Sequence, residues 1–509
     1  MTEVTLEGQL RRSMATLLLA TTMIMGLAGT ATAAPATGFS TSYEAIPGDG
    51  GTTLHAFVVR PTGRGDGPFP LVVLPSSWGV NDIEYVGAAA KLAYQSGYVA
   101  ISYTARGFWD SGGQIEVAGP PDVADASKVI DWALANTNAD PSRIGMAGIS
   151  YGAGISLLTA AADPRIRAVA SMSGWTDLAA SLYPNQTVSS LAVDGLLAAG
   201  HLTGRPGKDL QQAEKDYLAG DFADVLPIAP VRSAATKIDA INQHGTAVLM
   251  ANAWEDSLFP PSQLTDFFGK LTGPKRLMLS PGDHATPEVF GAAGLPNEVW
   301  DSVDRWFDHY LLGVDNGIDR EHSLQVKPAN GGDWQGSESW PWPQQTIPLS
   351  STRFAGGVDT VADSGVPFVS GILQGYLSIP TGVSMPLVSR AAAAVWSGPV
   401  AAQGFEVDGT PHAKLAVTPS AADTTLFAYL YDVGPLGLGS LISHKPYSLL
   451  GATPGVAKDI DLGLEPIAWN VPAGHHLALV VDTVDPRYMT SSKLGSTVAL
   501  SGTLTVPFN

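Results

Sequence analysis

GMAGISYGAGISLLTAAA, Gly145 to Ala162, carries a strand, a sharp turn and a helix in immediate succession. At its centre Gly148-Ile149-Ser150-Tyr151-Gly152 matches G-x-S-x-G. RIGMAG before the serine reads as a short strand, and GAGISLLTAAA after it as a helix. That is the setting of a nucleophile elbow, where a serine sits on a tight turn with its hydroxyl above the sheet. The flanking glycines let strand and helix approach without a Cβ clash. The next backbone N–H, on Tyr151, opens the helix and points to a donor for a developing oxyanion.

A neutral serine needs a base. Of the ten histidines, His284 stands in LMLSPGDHATPE, directly after an apolar strand. A loop there places an imidazole at the carboxyl edge of an open α/β sheet, where such sheets bind ligands. His55 lies inside an early strand, His201 and His244 in or beside a helical insertion, His309 in a helical aromatic run and His322 at a domain boundary. His412, His444, His475 and His476 belong to a β-rich C-terminal third. The order nucleophile–acid–base then asks for an acid between Ser150 and His284. LMANAWEDSLFPPSQ offers Asp256 after a strand, with Glu255 as its neighbouring rival, and Asp283 adjoins the histidine itself. The expected triad is Ser150, Asp256 and His284: nucleophile, orienting acid and general base. A second oxyanion donor is expected from VVLPSSWGV, after an early strand. The backbone N–H of Trp78 is the choice, with Ser77 beside it and the indole N–H as a further donor.

Outward from this segment, residues 40 to 322 alternate strands and helices. TLHAFVVRP, PLVVLP, YVAISY, IRAVASM, TAVLMANA and KRLMLS read as strands. A helix is expected from Glu84 and another over PDVADASKVIDWALANTNA, capped by Asp122. Short buried strands between helices predict a mostly parallel sheet covered on both faces. Trp175 to Ala240 shows no clear strand and reads as an inserted helical cap, with SSLAVDGLLAAGHL as an apolar wall. The chain is thus expected to hold an α/β-hydrolase core over 40–175 and 241–325, a cap over 176–240 and a C-terminal jelly-roll β-sandwich over 345–509. The last rests on AKLAVTP, TLFAYLYDV, HHLALVVDTV and STVALSGTLTV, short runs divided by Gly, Pro and Asp.

Composition narrows the functional classes. The chain has 509 residues, is 45% hydrophobic and carries a net charge of −19. A surface so acidic repels phosphate backbones, and no basic stripe offsets it, so nucleic acid is not an expected partner. Cysteine is absent, which removes disulfides, iron–sulfur clusters and thiolate zinc sites. No H-E-x-x-H spacing supports a metal hydrolase, and adjacent His475 and His476 face opposite sides of a strand. No cofactor and no metal are expected. Arg11 and Arg12 before SMATLLLATTMIMGLAGTATAAPA read as a secretory signal peptide over 1–33. The mature protein is therefore expected to be secreted or envelope-associated, with no membrane span.

Several segments together resemble the CocE/NonD and X-Pro dipeptidyl-peptidase (S15-type) serine hydrolases, often called acyl esterases. They are YTARGFWDSGG at Tyr103, GMAGISYG at Gly145, WTDL at Trp175, WEDSLFPPSQ at Trp254, PGDHATPE at Pro281, YLLGVDNGI at Tyr310, LFAYLYDV at Leu426 and WNVPAGHHLALVV at Trp469. The resemblance implies a Ser–Asp–His triad at Ser150, Asp256 and His284, an α/β-hydrolase core with helical cap and jelly roll, no cofactor, and hydrolysis of esters or amides, including X-Pro bonds. Two departures stand out. Where the family carries R-x-P-Y-G, whose tyrosine helps form the oxyanion hole, this chain has PSSWG with Trp78. Thr104 replaces the first residue of the D-x-R-G pattern, leaving Arg106 as a structural residue.

The expected function is a secreted serine hydrolase cleaving small-molecule or short acyl esters through an acyl-enzyme. The alternatives are an X-Pro dipeptidyl-peptidase or amidase acting on peptides, and a non-catalytic extracellular binding protein. Asp177, Asp194, Glu214 and Asp216 are the candidates to hold a substrate amine. Trp334, Trp340 and Trp342 are the hint of a sugar-binding surface, weighed against linker packing.

Overall fold

Apolar runs that alternate with amphipathic helices can bury both faces only as the middle layer of a sandwich. The computed structural model, which describes residues 37–340 and 342–509, builds that layer as a ten-stranded sheet. The expected signal segment lies outside the described residues. The strands are β1 (Gly38–Pro47), β2 (Thr53–Thr62), β3 (Phe69–Pro75), β4 (Val99–Tyr103), β5 (Ala139–Ile149), β6 (Ile166–Met172), β7 (Ala247–Ala253), β8 (Lys275–Ser280), β9 (Leu324–Val326) and β10 (Gln335–Ser337). Their order is β1-β2-β4-β3-β5-β6-β7-β8-β9-β10. From β4 to β9 every neighbouring pair is parallel; β1, β2 and β10 add antiparallel edges. The sheet is therefore mixed.

Helices cover both faces. On one side α1 (Val86–Ser96) and α2 (Glu298–Leu312) close a core with Leu74, Tyr85, Leu249 and Trp306. Asn297 starts α2 by accepting the N–H of Trp300 at 3.0 Å, and Gly313 ends it in the left-handed region. On the other side lie α3 (Pro120–Asn136) and α4 (Tyr151–Ala162), the latter buried almost throughout. Two helix starts differ from expectation. Gly119 precedes α3, and Asp122 sits one turn inside it, its Oδ2 accepting the N–H of Gly119 at 3.1 Å. Residues Glu84 and Tyr85 stay in a turn before α1, because both side chains reach inward to the loops around Ser150.

Between β6 and β7 the chain forms helices and turns, with single bridges from Gly204 to Phe108 and from Pro206 to Ile115. The two longest helices are α5 (Ser190–Thr203) and α6 (Lys208–Ala219). In α6 the buried residues are Leu210, Ala213 and Tyr217, one stripe of an otherwise polar helix.

Beyond β10 the chain becomes antiparallel. A four-stranded sheet and a five-stranded sheet carry the inward residues Leu415, Leu430, Leu479 and Leu500. Gln344–Ala355, Thr497–Pro507, His412–Pro419 and Lys458–Gly463 form the first sheet in that order. Thr424–Val433 lies at the centre of the second, buried along its length. This is the antiparallel C-terminal domain expected from the sequence. Trp334 and Trp340 are half-buried against the hydrophobic core. That placement agrees with the packing alternative. A short helix, α7 (Val369–Leu377), leaves this domain and lies against the loop after β8.

Candidate active site

The turn between β5 and α4 is strained in a defined way. Ser150 has φ 56° and ψ −115°, a conformation that non-glycine residues adopt rarely. Its N–H is fixed on Met172 O at 2.8 Å, and its carbonyl takes the N–H groups of Ala153 and Gly154. Two glycines make the turn sterically feasible. A Cβ on Gly148 would meet the Gly152 carbonyl carbon at 2.3 Å, and one on Gly152 would meet Pro75 O at 2.0 Å. Tyr85 supports the same turn by accepting the Ile149 N–H at 2.7 Å.

The loops after β7 and β8 bring two more predicted residues to this point. His284 Nε2 lies 2.8 Å from Ser150 Oγ, and its Nδ1 lies 3.0 and 3.1 Å from the two oxygens of Asp256. Asp256 Oδ1 also accepts the N–H groups of Leu258 and Phe259 at 2.9 and 2.7 Å. The carboxylate is thus held on three sides, and all three side chains are buried. Burial pushes the imidazole toward neutrality, but the Asp256 charge and hydrogen bond outweigh it, so the His284 pKa is raised above the usual histidine range. Glu255, the rival acid, faces away toward Asp283 and Arg487; burial pushes its pKa up to about 8.

Asp283 serves as an anchor. Its Oδ1 accepts the N–H groups of Ser257 and His284, at 2.8 and 2.7 Å, and its Oδ2 accepts the N–H of Phe368 at 2.6 Å. It thereby ties the acid loop, the base loop and the segment entering α7. Sequence periodicity carried no signal for Phe368, whose ring meets His284 edge-on at 6.3 Å. Arg487, also from the C-terminal domain, adds a donor to Ser257 O.

The segment PSSWG, where an oxyanion donor is expected, brings Trp78 to the cavity beside Ser150. Among the described residues no acceptor takes the backbone N–H of Trp78 or that of Tyr151, and both residues line the cavity at Ser150. The Trp78 indole, expected as a further donor, does not serve: its N–H is committed to Leu196 O at 2.9 Å, because the ring packs under α5. Ser77 likewise is not free, since its N–H donates to Glu84 Oε2 at 2.7 Å and its hydroxyl contacts Glu84 Oε1 and Ile149 O. Glu84 therefore fixes the loop that carries Trp78. Burial pushes its carboxyl up to about 7 against those hydrogen bonds. Behind His284, Glu288 accepts the Ser173 hydroxyl at 3.0 Å, and Ser173 Oγ accepts the N–H of Ala285. Burial raises Glu288 to about 8. Glu84, Ser173 and Glu288 carry no motif in the sequence; only tertiary packing identifies them. Arg106 stays structural, making two 2.7 Å bonds to Asp125 beneath the sheet edge.

Above Ser150 opens a cavity of about 170 Å³ under the cap. Its walls are Trp78, Tyr151, Trp175 and Phe259 from the core and Leu196, Tyr217 and other apolar residues from the cap. Of the acids proposed for amine binding, Asp177 caps the helix Leu178–Leu182, Asp194 accepts the Tyr217 hydroxyl, and Asp216 pairs with Gln212 at the surface. Glu214 does line the cavity, but it is paired with His201 at 2.9 Å.

Residues 49–286 match the family model described as X-Pro dipeptidyl-peptidase (S15 family), and residues 316–503 match the X-Pro dipeptidyl-peptidase C-terminal non-catalytic domain. The fold superposes on the crystal structure of a CocE/NonD family hydrolase from Staphylococcus aureus with a TM-score of 0.69, at 15% identity, covering 93% of this chain and 94% of that one. The chain thus carries an S15-type catalytic domain followed by its C-terminal domain, in the fold of a CocE/NonD hydrolase. Among its curated relatives, the cocaine esterase of a Rhodococcus species is 24% identical over 465 residues, 77% of this chain and 80% of that protein. A Streptomyces avermitilis protein named "Putative Xaa-Pro dipeptidyl-peptidase" is 25% identical over 476 residues, 77% of this chain and 68% of that protein. The chain is thus a serine-hydrolase-type enzyme of a superfamily acting on esters or Xaa-Pro peptide bonds. No helix among the described residues is long and apolar enough to cross a membrane.

Proposed function

We propose that this enzyme hydrolyses carboxylic esters by acyl transfer through Ser150. The observation that carries the proposal is the unbroken chain Ser150 Oγ–His284–Asp256 beside two uncommitted backbone N–H groups. His284 Nε2 takes the hydroxyl proton as Oγ attacks the ester carbonyl. The negative charge on the carbonyl oxygen is received by the N–H groups of Tyr151 and Trp78. The tetrahedral species collapses, the bond to the alcohol oxygen breaks, and the imidazolium returns its proton to the leaving alcohol. Water then gives a proton to His284 and attacks the acyl-enzyme; a second collapse frees the acid and restores the Ser150 hydroxyl. Asp256 stays ionised and stabilises the imidazolium.

Esters are favoured over Xaa-Pro peptides by the cavity. A dipeptidyl-peptidase must hold a charged terminal amine, and Glu214, the acid facing this space, already pairs with His201. The second reading, Xaa-Pro cleavage, is supported by the family description and by that same Glu214 if His201 releases it. A fluorophosphonate probe and paired substrates test both. Labelling of the wild type and not of Ser150→Ala is expected, with p-nitrophenyl esters turned over faster than Ala-Pro p-nitroanilide. Equal labelling removes Ser150 from the mechanism; faster anilide turnover replaces the esterase reading with the peptidase one.

A further inference from the structure

Most polar atoms around the cavity are already engaged elsewhere. The Trp78 indole donates to Leu196 O, the Trp175 indole to Arg232 O at 2.7 Å, and the Tyr217 hydroxyl to Asp194 at 2.8 Å. The Tyr151 hydroxyl accepts the Ala118 N–H and donates toward Asp122, below the floor. Three alanines, Ala179, Ala213 and Ala229, keep the space open. A ligand group entering here meets mostly carbon, and Glu214, the one acid on the lining, is already paired with His201, so a charged group enters without a free partner.

The position of the cavity relative to the base assigns its occupant. His284 must hand its proton to the leaving alcohol, so the alcohol lies against the imidazole. Ser150, Tyr151 and Trp78 line the cavity, whereas His284 does not. The cavity therefore opens on the acyl side of the scissile bond. Its volume of about 170 Å³ is close to that of apolar protein cavities of about 150 Å³ that take up benzene. Resting on the ester-hydrolase reading above, we infer that this space is an acyl chamber selecting uncharged apolar acyl groups of about six to eight carbons, supplied as esters.

The purified full-length enzyme is assayed on p-nitrophenyl esters from acetyl to palmitoyl. kcat/KM is expected to rise about fourfold per added methylene, the rate equivalent of burying one, to peak between hexanoyl and octanoyl, and to fall by palmitoyl. Ala213→Phe is expected to move the peak to shorter acids, lowering the octanoyl-to-butyryl ratio roughly tenfold or more. Leu197→Ala, which enlarges the chamber, is expected to move the peak to longer acids and serves if the phenylalanine variant does not fold. The 2-aminohexanoyl ester, assayed at about pH 6 where its amine is charged, is expected to react roughly a hundredfold more slowly than the hexanoyl ester. An acetyl optimum, a flat series or an amine without penalty overturns the inference while leaving serine hydrolysis intact. No hydrolysis of any ester together with no fluorophosphonate labelling overturns instead the reading on which it rests.

Discussion

The rim of the sheet and the cap above it treat polar groups in opposite ways. At the rim the loops are pinned through backbone: the Asp256 carboxylate takes two N–H groups, that of Asp283 three, that of Glu84 the N–H of Ser77, and the Ser150 N–H donates to Met172 O. In the cap, Tyr217 and Glu214 are committed to Asp194 and His201, and the hollow beneath is lined mostly by carbon. Chemistry that needs sub-ångström placement sits on strand ends, where register cannot slip. Selection by size and polarity sits on short helices, where one side-chain exchange changes the shape.

If that division holds, substitutions at the rim should abolish rate for all substrates alike. Ser150→Ala or His284→Ala is expected to lower kcat by about a millionfold with little change in substrate KM. A residual rate near wild type would move the chemistry elsewhere. Asp256→Asn is expected to lower kcat by about ten-thousandfold and to shift the acid limb of the kcat/KM profile. The base must be neutral, so activity is lost as pH falls through the His284 pKa. Asp256 raises that pKa above the ordinary histidine range, and removing its charge should carry the limb to lower pH. An unmoved limb would separate the two residues electrically.

Stability gives two further contrasts. Arg106 and Asp125 are both buried beneath the rim, so Arg106→Ala leaves a carboxylate without its cation. A loss of about 3 kcal/mol in denaturant unfolding is expected; a negligible loss would show that water reaches the pair. The smallest effect concerns Glu84, whose folded pKa of about 7 lies above its ordinary value of 4.5. The folded state then binds more protons than the unfolded state between those values, so this group's contribution to stability declines as pH rises through them. Glu84→Gln should therefore flatten part of the decline in unfolding midpoint between about pH 5 and 8. A midpoint slope equal to wild type would mean that Glu84 ionises freely.

Legibility in the sequence followed locality. Ser150, Asp256 and His284 each follow an apolar strand directly, so a residue type and a strand end sufficed to single them out, and the fold brings them within hydrogen-bonding distance. The place of Trp78 beside Ser150 was readable for the same reason, but the fate of its indole was not. That depended on Leus and glycines of α5 more than a hundred residues away, with Leu196 O accepting the indole N–H and Gly200 facing the ring. The helix starts at Asp122 and Glu84 were misplaced because capping rules weigh near neighbours, whereas Gly119, Ser77 and Ile149 set the true geometry. Asp283 looked like a loop residue beside a histidine; its three partners come from three separate segments.

That last residue has a practical corollary for engineering. Because Asp283 Oδ2 holds the N–H of Phe368 while its other oxygen holds the base loop, the two halves of the polypeptide share one fastening. A shortened enzyme ending after β10 would leave that carboxylate without its third N–H and His284 without the Phe368 edge. Recombination between this chain and its relatives is therefore better joined upstream of Gln344 and carried through α7 as a unit than cut within it.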